Sequence, residues 1–201
     1  MFDQIRSDWH THNHDWSRHG FWALAVYRFG NWRYTIPSRA LRMPFSFAYK
    51  LLKFLADGFC GIELPCEVVL GVRFVIEHVG AIVISGDAVF GDDCIIRNGV
   101  TVGLRHRLQR GSPRLGNRVD IGAGAKLLGP ITIGSDVTIG ANAVVLSDVP
   151  DNCVAVGIPA RILPRKLPAP NPAELDALHQ LDQDGPHQHA NHEDPALVLH
   201  A

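Results

Sequence analysis

A chain of 201 residues, 46% of them apolar, has room for one domain with a sizeable core, or one domain and a small appendage. Its net charge of -1 advertises no broad basic surface for nucleic acid or anionic lipid, and no run of about 18 apolar residues reads as a membrane span. The opening MFDQIRSDWH lacks the charged-then-apolar layout of a signal peptide, and Cys60, Cys66, Cys94 and Cys153 fall at no metal-binding spacing. Reduced thiols in a cytoplasmic protein are therefore expected.

Residues 1–60 form the first segment and read as helical. HTHNHD at 10–15 is rich in imidazole, but histidines in a chain terminus are usually solvated, and no metal is expected there. SRHGFWALAVYRFGNWRY and SRALRMPFSFAYKLLKFLADGFCG carry apolar residues at helical spacing. Pro37 and Ser38 separate them, with Ser38 placed to cap the second helix. That helix combines aromatic residues with Arg42, Lys50 and Lys53. It reads as a cover over the end of the next domain, with a membrane-surface helix as the alternative.

From Leu64 to Pro150 the chain steps in sixes. Large apolar residues fall at Leu64, Leu70 and Ile76, then after a two-residue slip at Ile84, Phe90, Ile96 and Val102. After a longer interruption they resume at Leu115, Ile121, Leu127, Ile133, Ile139 and Val145, and glycine follows many of them. A period of six is neither helical nor that of a simple strand. It fits short strands joined by tight corners, three sixes to a triangular coil, with about five coils between 64 and 150. Residues 61–163 are thus expected to form a parallel β-solenoid, with glycine easing the backbone at its corners. VAVGIPARIL at 154–163 reads as a closing strand. Residues 164–201, rich in Pro, His and Asp, read as a flexible tail with one short helical turn at 174–181.

Chemistry is expected where this rhythm breaks. After the anchors, the charged exceptions are Glu77 and Arg97, and His78 directly follows Glu77. Between residues 20 and 178 the only histidines are His78, beside the slip, and His106, inside the inserted LRHRLQRGSPR. An imidazole suits removal of a proton from an alcohol near neutral pH. A carboxylate on its other nitrogen fixes the tautomer. Glu63 lies 15 residues before His78, close to one coil, and is the candidate partner. No phosphate-binding glycine loop occurs, so nucleotide cofactors have no support.

GFWALAVYRFGNW, GIEL, IEHVGAIV, GVTVG and IGAGAKLLGPITIG together resemble the serine O-acetyltransferase family of hexapeptide-repeat acyltransferases, over roughly residues 5 to 163. The resemblance implies that the coil is a left-handed parallel β-helix, a hand that the spacing alone does not give, because right-handed crossovers are the general rule. It implies an acetyl-CoA-dependent O-acetyltransferase with His78 as general base and Glu63 as its partner. Glu77 becomes an acceptor contact, and Asp8 a loosely aligned holder of the substrate amine. Gly103, Ala123 and Ala141 match positions that line the CoA groove. The family assembles as trimers with the site between two subunits, so a homotrimer is expected.

The chain also departs from that pattern. Where the family carries Arg-His-Pro in the inserted loop, this sequence reads Gly111-Ser112-Pro113, leaving Arg105 and His106 as substitutes. The helical segment is shorter than in the long members. Short forms with the same loop change occur among acetyltransferases of exopolysaccharide and colanic acid synthesis. L-serine is the expected acceptor, a sugar hydroxyl the alternative, and a catalytically silent scaffold the third reading.

Overall fold

The computed structural model describes residues 2–106 and 111–165. Of the tail expected from residue 164, Pro164 ends the last strand and Arg165 donates to Asn152 O, while the rest, with its helical turn at 174–181, lies outside the described residues. Three helices precede the coil: α1 (Phe2–Thr11), α2 (His19–Trp32) and α3 (Arg39–Cys60). A single 3-10 turn, Arg33–Thr35, follows α2. The Ser38 hydroxyl accepts from Leu41 N at the start of α3, as expected of a cap. Gly61 ends α3 in the left-handed conformation, φ 62°. Sequence periodicity missed α1. Its apolar residues are few, and Asp8 and His12 are buried where a solvated terminus was expected.

The first coil contains β1 (Ile62–Glu63), β2 (Val69–Leu70) and β3 (Val75–Ile76). The second contains β4 (Ile82–Ile84), β5 (Val89–Phe90) and β6 (Ile95–Ile96). The third contains β7 (Thr101–Gly103), β8 (Arg114–Leu115) and β9 (Asp120–Ile121). The fourth contains β10 (Lys126–Leu128), β11 (Thr132–Ile133) and β12 (Thr138–Ile139). A fifth, started by β13 (Val144–Val145), is closed by β14 (Cys153–Val156) and β15 (Arg161–Pro164). Instead of a single closing strand, β14 and β15 form an antiparallel pair. Four complete coils and a fifth begun stand where about five were expected.

Every other ladder is parallel, and the strands stack into three faces. Face A holds β1, β4, β7, β10 and β13; face B holds β2, β5, β8 and β11; face C holds β3, β6, β9, β12, β14 and β15. This is the left-handed parallel β-helix, a triangular prism. The anchors form its interior columns: Leu64, Ile84, Val102, Leu127 and Val145 behind face A, and Ile76, Ile96, Ile121 and Ile139 behind face C. Each is at most 5% exposed, so the prism is a packed core and not a pore.

The corners correct one expectation about glycine. At the B-to-C corner, Gly71, Gly91, Gly116 and Gly134 stack without a positive φ. A Cβ on Gly91 would stand 2.5 Å from Gly116 O, so glycine is needed there for space between backbones. The left-handed positions of that corner are two residues later. Arg73, Asp93, Arg118, Asp136 and Asn152 occupy them, with φ between 54° and 60°. Ion pairs Arg73–Asp93 and Arg118–Asp136 tie successive coils there. Side chains also satisfy corner N–H groups: Asn117 Oδ1 accepts from Asp92 N, and Asp151 Oδ1 from Ser135 N.

Candidate active site

Coil geometry explains why His78 leaves the ladder. The C-to-A corners of the later coils use three residues, such as Arg97–Gly99, between one inward anchor and the next. The first uses five, Glu77–Ala81. Its ends are pinned: Glu77 N donates to Ile96 O at 3.1 Å, and Ile82 N to Gly61 O at 3.0 Å. Gly80 and Ala81 take positive φ to complete the turn, while Val79 packs on the core. The two extra residues therefore bulge, and His78 is exposed with no hydrogen bond or ion pair among the described residues.

Glu63 is also exposed and likewise unpaired among the described residues. It is on face A opposite Val83, in the strand whose start packs against Gly80 and Ala81. The first coil thus carries both groups, but no bond joins them. Glu77 is engaged elsewhere: its Oε2 is 2.6 Å from Arg97 Nε. Arg97 also pairs with Asp120, so three charges run up face C across three coils. The sequence had flagged Glu77 and Arg97 separately. Their separation of 20 residues, one coil at this height, was the signal that they stack.

Asp8 sits differently from the other candidates. It is 1% exposed, and its carboxylate accepts from Arg28 Nε at 2.9 Å and Nη2 at 3.3 Å. Arg28 also reaches Gly71 O, so Asp8 locks the helices onto the first coil. Together with Arg28 it borders a small hollow, which also touches Val72 and Arg73. A larger cleft of about 590 Å³ lies between α2 and the first B-face strand, lined by Tyr27, Asn31, Trp32 and Glu67. Neither includes His78.

The remaining candidates divide between two edges of face A. Ala123 and Ala141 belong to the C-to-A edge that also carries His78, two and three coils further on; Asn142 N donates to Ala123 O at 2.8 Å. The side chains at these stacked corners are small, apart from Asn142, whose Oδ1 lies against Gly124. Gly103, Arg105 and His106 belong to the opposite, A-to-B edge. That corner runs from Gly103 to Ser112, ten residues where the others use three. Gly103 is buried, while Arg105 and His106 are exposed at the base of the loop. Ser112 is 7% exposed and its Oγ bonds Ser85 Oγ at 2.9 Å, so Gly111-Ser112-Pro113 packs on the coil. One chain alone does not bring the two edges together.

Among the described residues, no cluster of His, Cys, Asp or Glu is able to hold a metal, and no helix is long and apolar enough to cross a membrane. All four cysteines are free and buried.

Residues 112–147 match the family model for bacterial transferase hexapeptide (six repeats). A serine acetyltransferase of Synechococcus elongatus is 42% identical over 73% of this chain and 57% of its own length. One from Helicobacter pylori strain J99 is 44% identical over 59% of this chain and 70% of its own length. An Escherichia coli K12 protein named for acetyl transfer in colanic acid biosynthesis is 44% identical over 56% and 69%. A solved serine acetyltransferase in complex with CoA superposes with a TM-score of 0.65 at 30% identity, over 80% of this chain and 68% of that one. The chain spans about half the length of the first curated relatives it matches, 57% and 48%.

Proposed function

Because the chain belongs to the serine O-acetyltransferase family of hexapeptide-repeat acyltransferases, we propose that it moves an acetyl group from acetyl-CoA to the hydroxyl of L-serine. The products are O-acetylserine and CoA, and the reaction serves cysteine biosynthesis in the cytoplasm. The observation that carries this reading is His78, an exposed imidazole on a corner two residues longer than its counterparts.

His78 takes the proton of the serine hydroxyl as the oxygen attacks the thioester carbonyl. The tetrahedral intermediate collapses, the C–S bond breaks, and the imidazolium returns its proton to the departing thiolate. Glu63 stabilises the imidazolium and orients the ring. Glu77, held by Arg97, contributes negative charge toward the substrate amine. Asp8, buried and paired with Arg28, holds the helices onto the first coil. The thioester arm runs past Ala123 and Ala141, with Gly103 on its other side.

The homotrimer that the family resemblance implies would join these two edges. Packing the A-to-B edge of one chain beside the C-to-A edge of the next unites Gly103, Arg105 and His106 with His78.

The second reading is acetylation of a sugar hydroxyl. Gly111-Ser112-Pro113 favours it, because Ser112 is buried on Ser85 and offers no cation to a carboxylate at that place. Incubation with acetyl-CoA and either L-serine or a panel of sugars, followed by mass spectrometry, separates the two. O-acetylserine is the expected product. Acetylated sugar with no O-acetylserine would move the assignment to the second reading.

A further inference from the structure

Helix α3 faces solvent with its apolar side. At 100° per residue, roughly 200° of its circumference carries no polar side chain, and all the residues there except Ala48 are exposed. Phe59 is 82% exposed, Phe54 74%, Phe47 73%, Met43 70% and Leu41 66%. The opposite side buries Tyr49 and Cys60 against the rest of the protein. An arrangement of this kind is the reverse of a helix whose apolar stripe serves its own core.

From this face we propose that α3 lies on an anionic lipid surface, flat in the headgroup region, without crossing it. Charge is the reason to prefer lipid as the occupant. The helix carries Arg39, Arg42, Lys50 and Lys53 against Asp57 alone, a local +3 in a chain whose net charge is -1. Asp57 is taken by Lys53 at 2.7 Å. Arg39, Arg42 and Lys50 have no carboxylate partner among the described residues. Arg39 and Lys50 flank one margin of the apolar arc, beside Met43, and Arg42 lies toward the other, a turn before Phe45. At that second margin Arg42 stacks on Tyr34 and Trp32 meets Phe45, aromatic groups suited to a headgroup boundary. A protein interface of this size normally exchanges a hydrogen bond every 100 to 200 Å² or so, and this arc has no side chain able to make one. The -1 total conceals the feature because it averages the helix with an acidic remainder.

The test is flotation of the purified full chain with vesicles of phosphatidylcholine, alone or mixed with phosphatidylglycerol, at low and high salt. The wild type floats with the anionic vesicles, and salt weakens the association. Phe47→Glu/Phe54→Glu, which alters only exposed positions, loses it on the order of tenfold or more. Arg39→Gln/Lys50→Gln lowers binding to anionic vesicles toward that of neutral ones. No flotation of the wild type would overturn the proposal, as would equal flotation of either variant. Light scattering of Phe47→Glu/Phe54→Glu covers the rival occupant. If that variant dissociates into smaller species while the wild type fails to float, the face joins copies of this chain and not lipid.

Discussion

His12 is buried with one ring atom orphaned. Nδ1 donates to Asp8 O at 2.7 Å, which leaves Nε2 as a bare lone pair with no partner. Burial therefore lowers its pKa from 6.5 and keeps the ring neutral. In the unfolded chain the same ring takes up a proton below about pH 6.5. His12 thus favours folding fully above that pH and loses the contribution as pH falls below it. The melting temperature of the wild type should drop more steeply from pH 7 to pH 5 than that of His12→Gln. Equal slopes would contradict the assignment. Cys94 makes a similar case for a thiol: wholly buried, it is pushed up to about 11. It should resist a thiol reagent at pH 8 in the native protein and react only after denaturation. None of this was readable in HTHNHD, because burial of one histidine among several depends on where α2 lands.

Helices and corners were legible to different degrees. The six-residue period announced the prism, since each anchor had to point inward and each coil had to repeat. The register could be read from the slip and the insertion alone. The short α1 could not, because it is held by Asp8–Arg28 and not by an apolar stripe. The role of glycine was only half legible: the sequence marks where it stands but not whether space or torsion requires it. Two substitutions separate those causes. Gly91→Ala drives a Cβ into the backbone of the next coil and should cost about 1–3 kcal/mol or more. Gly58→Ala, in α3 with nothing within 4 Å of the new Cβ, should stabilise by about 0.5–1 kcal/mol. Denaturant melts of both variants read the two signs, and a destabilised Gly58→Ala would contradict this reading of α3.

At the scale of the whole molecule, the sequence proposed a set of site residues and the fold sorted them onto two edges. Linear spacing could not separate Gly103 from Ala123, because both follow the same repeat and only the three-sided cross-section parts them. In the proposed site that division makes assembly part of the chemistry. Light scattering should give a trimer at micromolar concentration, and a monomer would sink the shared site. Refolding equal amounts of His78→Ala and Arg105→Ala/His106→Ala chains together should restore activity that neither has alone. About one site in four then draws both edges from unaltered sequence. No restoration, with trimers formed, would place the whole site within one chain.

The most direct measurement is release of free CoA from acetyl-CoA by the wild type and by His78→Ala, with L-serine as acceptor and acetyl-CoA binding measured alongside. The expected result is a loss in kcat on the order of 10²-fold or more with acetyl-CoA still bound. Turnover close to wild type in His78→Ala would remove His78 as the general base.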